Sequence, residues 1–157
     1  AVASLNKKKF SKYDFSRLHP SGNLGSQLKT VEDLMLTRNK IPFISENSKM
    51  KNALKVMSSK KLGVLVVKNK KGLTIGVVTD GDLRRAIQKN KDIKILTVKK
   101  VMTKNPISID KNELAAKALS LMNLKKKITS LCVHDKKKKH KTIGILHQKI
   151  ILEANIQ

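Results

Sequence analysis

The feature that most constrains the fold of this chain is an internal repeat at an offset of about 64–68 residues. Each copy reads as a short strand after a proline, an amphipathic helix, two short apolar strands separated by a lysine-rich turn, and a closing helix. A unit of about 60 residues buries too little apolar surface to be stable alone. We therefore predict an α+β fold in which two β-α-β-β-α units pack sheet against sheet. The matching blocks are 31–35 with 98–102, 41–45 with 105–109, 53–57 with 118–122, 63–67 with 129–133, and 75–79 with 143–147.

Within each copy the pattern predicts particular elements. The main helices are expected at 50–59 and 114–124, and the turns at 68–72 and 135–141 are expected to be solvated. Segment 88–94 is expected to link the copies. Four methionines fall at equivalent positions and are interpreted as core packing residues: Met35, Met57, Met102 and Met122.

A large positive charge usually suggests a polyanion partner such as nucleic acid, but the composition of this chain weakens that interpretation. The chain has 157 residues, 39% of them hydrophobic, and a formal net charge of +24. Only four of its 35 basic residues are arginine, and aromatic residues make up 3%. Arginine suits base and phosphate readout, and aromatic rings stack on bases, so we expect no specific nucleic-acid binding. A lysine-rich coding bias explains the charge more simply, with weak non-specific binding at low salt.

The cysteine, the histidines and the apolar runs indicate the cellular compartment of the protein and whether it binds a metal. Cys132 is the single cysteine and can form no internal disulfide, which fits a reducing cytosol. No apolar run is long enough to span a membrane and no signal peptide is recognisable, so we expect a cytoplasmic protein without a membrane partner. His134, His140 and His147 are too scattered for a metal site.

The segment 75–85 carries the most specific chemical signal. An apolar strand ends at Thr79, Gly81 permits a tight turn, and Asp82 is predicted to cap a helix that begins at Leu83. A helix start attracts anions, and Asp82 could accept hydrogen bonds from vicinal ribose hydroxyls. A plain capped helix without a ligand is the alternative. The residues predicted to bind a nucleotide are Thr79, Asp80, Gly81, Asp82, Arg84 and Arg85.

The stretch 76–83 reads Gly-Val-Val-Thr-Asp-Gly-Asp-Leu, and with the repeat it resembles a tandem pair of CBS domains, also called a Bateman module. The resemblance implies that adenosyl or other nucleotides bind in clefts between the repeats, with Asp82 on the ribose and Thr79 near the sugar or phosphate. In the second repeat, His147 stands in place of Thr79 and Ile150 in place of Asp82. One competent site is therefore expected, with a possible second cleft at His147.

Segments 10–15 and 18–25 are similar to the end of the sugar isomerase (SIS) domain of arabinose 5-phosphate isomerases. This resemblance implies a remnant of the SIS domain at 1–29, CBS repeat 1 at 30–92 and CBS repeat 2 at 93–157. It also implies interconversion of D-arabinose 5-phosphate and D-ribulose 5-phosphate, for the synthesis of Kdo in lipopolysaccharide or capsule. His19 is catalytic by that resemblance alone. The other catalytic groups of the family are absent here, so we expect this chain, as part of a longer protein, to be inactive by itself.

The leading hypothesis is a regulatory module of such an isomerase that needs no cofactor. Its ligand is expected to be AMP, ATP, CMP or CMP-Kdo. The expected partners are the SIS domain of the same protein and a second CBS pair in a homodimer, within a tetramer of the full-length enzyme. A purely structural oligomerisation module is the second hypothesis, and a basic nucleic-acid-binding domain is the third.

Overall fold

The computed structural model describes residues 23–124 and 128–156. These ranges include two 3₁₀ turns. Arg38–Lys40 precedes the first strand of the first repeat, and Ile93–Ile95 lies between the closing helix of the first repeat and the start of the second. The helices are α1 (Asn23–Ser26), α2 (Val31–Leu34), α3 (Met50–Lys60), α4 (Asp80–Lys89), α5 (Val98–Val101), α6 (Ala115–Leu124) and α7 (Gln148–Glu153). The strands are β1 (Phe43–Ser45), β2 (Val64–Lys68), β3 (Thr74–Thr79), β4 (Thr103–Lys104), β5 (Ser108–Asp110), β6 (Ser130–His134) and β7 (Gly144–His147).

The strands form two sheets of equivalent topology. The first has the order β1-β2-β3-β4, and the second has the order β5-β6-β7. In each sheet the first strand runs parallel to the second, and the second pairs antiparallel with the third. The predicted pair of β-α-β-β-α units is therefore confirmed, and the main helices lie within one residue of their predicted bounds.

The central strands β2 and β6 bury both of their faces. In β2, Leu65 and Val67 pack against the helices of the first repeat, whereas Val64 and Val66 point to the other sheet. This alternation follows from the two-residue period of a strand. Val64 and Val66 meet Cys132 of β6 in a layer between the sheets, so the predicted packing of sheet against sheet is confirmed. We call this cluster the inter-sheet layer; its buried members are Ile41, Val64, Val66, Cys132 and Ile145.

The segment that opens each repeat in the sequence packs on the other repeat in space. The Val31 amide donates to the Glu113 carbonyl at 2.8 Å, and Val31 lies in the core of the second repeat. Reciprocally, the Val98 amide donates to the Ser48 carbonyl at 2.8 Å, and Val98 lies in the core of the first repeat. Helices α2 and α5 and strand β4 were not part of the predicted unit. Each of these segments packs on the repeat to which it does not belong in sequence, and so connects the two repeats. The predicted repeat boundaries at 30–92 and 93–157 remain a prediction.

Two equivalent glycines allow these exchanged segments to lie close to the sheets. A Cβ atom on Gly76 would be 2.7 Å from the sulfur of Met102 and 2.7 Å from the Thr103 carbonyl oxygen. On Gly144 it would meet the sulfur of Met35. A side chain at Gly76 would therefore push the backbone at Thr103 away, and one at Gly144 would displace the Met35 side chain. The predicted packing role of the methionines is confirmed, because all four lie in or against the repeat cores: Met35, Met57, Met102 and Met122.

The lysine-rich turns are exposed, as predicted, and the second one touches the first repeat. The Thr74 amide donates to the His140 carbonyl at 2.7 Å, and the hydroxyls of Thr74 and Thr142 are 2.5 Å apart. Within 23–124 and 128–156, no helix combines the length and apolar character needed to cross a membrane.

Val31→Ala tests the exchange of segments. Both Val31 and Val98 are fully buried, and truncating either valine should reduce the free energy of unfolding by about 1–3 kcal/mol. We expect Val31→Ala to lower hydrogen-exchange protection first in β6 and β7. Its matched control, Val98→Ala, should lower protection first in β2 and β3. Greater loss in β2 and β3 from Val31→Ala would contradict the exchanged arrangement.

Cys132 provides a probe of the inter-sheet layer. Burial raises the pKa of its thiol from 9.0 to about 11, a rise partly offset by a hydrogen bond with Thr142. Because a raised pKa favours the neutral thiol, the reactive thiolate is scarce until the pH approaches 11. We expect iodoacetamide to label Cys132 at pH 8 much more slowly than a free cysteine, as measured by mass spectrometry, because this residue is only 4% exposed and its thiol is largely protonated. Labelling at the rate of a free cysteine would mean that the layer is open.

Candidate functional site

A cavity of about 710 Å³ opens between the two repeats. One wall is the turn from β3 into α4, and the other walls come from β4, the segment that follows it, and the start of β6. Its lining includes all six residues that the sequence predicted for nucleotide binding: Thr79, Asp80, Gly81, Asp82, Arg84 and Arg85. The structure brings these residues together on one wall.

The turn into α4 is held by a capping box. Thr79 is the N-cap: its hydroxyl accepts from the Asp82 amide at 3.4 Å, and Asp82 Oδ2 accepts from the Thr79 amide at 2.8 Å. The sequence prediction that Asp82 is the N-cap of a helix beginning at Leu83 was wrong, because α4 begins at Asp80. A Thr followed three residues later by Asp is a capping-box pattern, so the correct start was readable from the sequence.

The Asp82 carboxylate has hydrogen-bond donors on both oxygens. Oδ2 accepts from the Thr79 amide and also from the Thr79 hydroxyl at 3.1 Å. Oδ1 accepts from Arg85 Nη2 at 2.7 Å and from the Thr103 hydroxyl at 2.5 Å. Asp82 is only 4% exposed, so these donors replace the water that a carboxylate would otherwise bind.

Thr103 is a contact of Asp82 that the sequence did not reveal. It lies on β4, and its position is set by the pairing of Thr103 with Val77 on the edge of the first sheet. A two-residue strand has no recognisable pattern, and no motif connects Thr103 with Asp82 across 21 positions. The contact arises only because β4 folds back onto the first repeat.

Arg84 and Arg85 lie in the second turn of α4, since the helix begins earlier than predicted. The helix dipole disfavours cations mainly in the first turn, so its unfavourable interaction with these two arginines is small. Arg85 pairs with Asp82, although 63% of its side chain is exposed. Arg84 is exposed, and within the described ranges it has no carboxylate within 4.0 Å. The two guanidinium groups supply positive charge at the cavity wall.

The remaining lining combines four polar residues, Thr103, Asn105, Thr129 and Ser130, with an apolar part. It includes members of the inter-sheet layer, Val64, Cys132 and Ile145, together with Ile107 and Ile128. A flat apolar group such as a nucleobase suits this wall, whereas a hydroxylated and charged group suits the turn at Thr79.

His147 occupies the equivalent turn of the second repeat and does not line this cavity. It is the N-cap of α7, and its Nδ1 accepts from the Lys149 amide at 3.0 Å. Burial, and secondarily the charge of Lys149, lower the pKa of His147, which favours the neutral ring that can accept this hydrogen bond. Ile150 stands where the first repeat has Asp82, so a carboxylate is absent from this turn.

His19 and most of the predicted remnant at 1–29 lie outside the described residues. Within the described ranges, no group of three or more His, Cys, Asp or Glu side chains could hold a metal ion. His134 is buried in β6, and its Nδ1 has no hydrogen-bond partner among the residues that the structure describes.

The comparisons with known proteins agree on one family. The family model for the CBS domain matches residues 31–89 and 98–156. Arabinose 5-phosphate isomerase KdsD of Francisella tularensis is 40% identical over 156 residues, which is 98% of this chain and 46% of that protein. KdsD of Escherichia coli K12 is 35% identical over 157 residues, covering 99% of this chain and 47% of that protein. The chain thus spans about half the length of these relatives.

Solved structures show the same fold. The CBS-pair protein CBSX2 from Arabidopsis thaliana, crystallised in complex with AMP, is 27% identical and superposes with a TM-score of 0.65 over 80% of this chain and 95% of that one. An uncharacterised conserved protein from Pyrococcus horikoshii is 24% identical, with a TM-score of 0.71 over 83% of this chain and 95% of that one. From the two matched copies and this shared fold, we conclude that the chain belongs to the CBS-domain family and carries a tandem pair of its domains.

Proposed function

We propose that this CBS pair is a regulatory module that binds one ribonucleotide in the cavity between its repeats. The observation that carries the proposal is the meeting of a buried carboxylate, two arginines and an apolar wall in one cavity of about 710 Å³. A nucleotide presents a diol, a phosphate and a flat base, which are the three groups complementary to these features.

Each part of the ligand has a proposed partner. Asp82 and Thr79 receive the ribose hydroxyls, because a buried carboxylate is a strong acceptor for vicinal hydroxyl groups. Arg84 and Arg85 bind the phosphate, and the amides of Asp80 and Gly81 at the start of α4 add further donors. The base lies against the apolar wall near Ile107. The AMP complex of CBSX2 supports a nucleotide as the ligand class.

The similarity to KdsD supports a place for this module in an aldose-ketose isomerase. In this proposal residues 1–29 end an SIS domain, and the CBS repeats occupy 30–92 and 93–157. The catalytic domain interconverts D-arabinose 5-phosphate and D-ribulose 5-phosphate in the cytoplasm, for the synthesis of Kdo. The CBS pairs also associate as homodimers within a tetramer.

Regulation follows if the ligand binds two arrangements of the repeats with unequal affinity. A ligand shifts a conformational equilibrium only by its difference in binding free energy between the two states. The cavity is lined by both repeats, so a change in their relative position alters it directly. AMP and ATP are candidate ligands from the family, while CMP and CMP-Kdo are candidates from the proposed pathway.

A structural module that only holds an oligomer together is the second candidate. It is favoured by the second repeat, where His147 caps α7 and Ile150 replaces the carboxylate. The second repeat therefore lacks the groups proposed to bind a ligand. The first repeat retains them, in Asp82 and both arginines.

Asp82→Ala tests the proposed site. We expect AMP or CMP affinity to fall at least tenfold, about 1.4 kcal/mol, because the ribose loses its charged acceptor. Calorimetric titration at about 0.15 M salt measures this, since long-range surface charge is then screened. The panel contains AMP, ATP, CMP and CMP-Kdo.

The matched control is Asp33→Ala. Asp33 occupies the same capping-box position on α2, where its Oδ2 accepts from the Thr30 amide at 2.8 Å, but it does not line the cavity. Both variants lose the aspartate half of a capping box, but Asp82→Ala also removes the contacts of a buried carboxylate with Arg85 and Thr103, so it should lower the free energy of unfolding more than Asp33→Ala. Only Asp82→Ala should lose the ligand. If the unmodified chain binds no member of the panel, the structural module becomes the better account.

A further inference from the structure

We propose that Arg85 is an exchangeable partner of Asp82: it leaves the carboxylate when a ribose diol binds and transfers to the phosphate of the same ligand. This inference rests on the proposed function, which it refines. It makes Arg85 a specificity-determining residue that favours ligands with both a diol and a phosphate over ligands with a diol alone.

The need for an exchange follows from the occupancy of the carboxylate. Asp82 Oδ2 already has two donors from Thr79, and Oδ1 has two donors from Arg85 and Thr103. A carboxylate oxygen offers about two acceptor sites, so both are in use. A diol cannot form hydrogen bonds with Asp82 unless at least one present donor leaves.

The donors differ in how easily they can leave. The Thr79 amide is part of the backbone at the start of α4, and its release would open the capping box. The hydroxyl hydrogens of Thr79 and Thr103 can rotate, but their oxygens stay beside the carboxylate, because Thr79 caps α4 and Thr103 is paired with Val77. Arg85, in contrast, reaches Asp82 from a flexible side chain that is 63% exposed, so it can move into water or onto a ligand without a change in the fold.

The guanidinium group also lies where a ligand would approach. A Cβ atom built on Gly81 would be 3.5 Å from Arg85 Nη1 and 3.6 Å from Nη2. The group therefore lies across the turn that forms the cavity wall. A ribose that reaches Asp82 from the cavity takes this position, and the displaced guanidinium remains beside the start of α4, where a 5′-phosphate would lie.

The consequence is that diol and phosphate binding are coupled. A nucleoside must break the pair between Arg85 and Asp82 and gives the arginine no new anion. A nucleotide breaks the same pair and replaces it with a bidentate contact to phosphate. Arg85 therefore opposes binding of a nucleoside and supports binding of the corresponding nucleotide.

Arg85→Ala tests the exchange through opposite effects on two ligands. Calorimetric titration of the unmodified chain and the variant would use AMP with adenosine and CMP with cytidine. For the pair that binds, we expect Arg85→Ala to weaken the nucleotide about tenfold or more and to strengthen the nucleoside about threefold or more. A residue that only contacts phosphate would leave nucleoside affinity unchanged, and a merely structural residue would weaken both ligands.

Arg84→Ala is the matched control, because Arg84 lines the same wall but has no contact with Asp82. It should weaken the nucleotide and leave nucleoside affinity unchanged. If nucleotides bind but nucleoside affinity does not rise in Arg85→Ala, the exchange is overturned and the proposed function stands. If the unmodified chain binds none of AMP, ATP, CMP and CMP-Kdo, the ribonucleotide site and the exchange are both overturned.

Discussion

The inter-sheet layer fixes how the two sheets, and therefore the two repeats, lie against each other. Val64 and Val66 of β2 meet Cys132 and Ile145 of the second sheet, and this contact buries faces that a single repeat would leave in water. Burial of apolar surface contributes about 25 cal/mol per Å², so each sheet stabilises the other. The layer also ends at the cavity, where its side chains become the apolar wall. The same contact therefore joins the repeats and forms part of the candidate site.

The exchange of opening segments gives the pair its second connection. Because α2 lies on the second repeat and α5 on the first, neither repeat is complete without residues from the start of the other. The exchange also brings β4 to the first sheet and Thr103 to Asp82. Any change in how the repeats sit against each other therefore reaches the carboxylate directly. In the proposed regulation, this connection links a ligand at Asp82 to the arrangement of the two repeats.

The two turns show how equivalent backbone positions acquire different chemistry. Thr79 and His147 both cap a helix, one through a hydroxyl and the other through a ring nitrogen. The cap is thus preserved in both repeats, while the carboxylate is present only at Asp82. Capping requires an acceptor at one position, which several residue types supply. The proposed diol binding requires a carboxylate three residues later, which Ile150 does not supply.

The duplicated unit, the main helices and strands, and the six residues of one cavity wall could be predicted from the sequence, because they depend on periodicity and on neighbours along the chain. The sequence did not reveal the exchanged segments, the partner role of Thr103, or the occupied state of both Asp82 oxygens. Four-residue helices and a two-residue strand have little local preference, and contacts between Asp82 and Thr103 join distant positions. These features depend on the folded arrangement, because packing between the repeats selects which short segments meet.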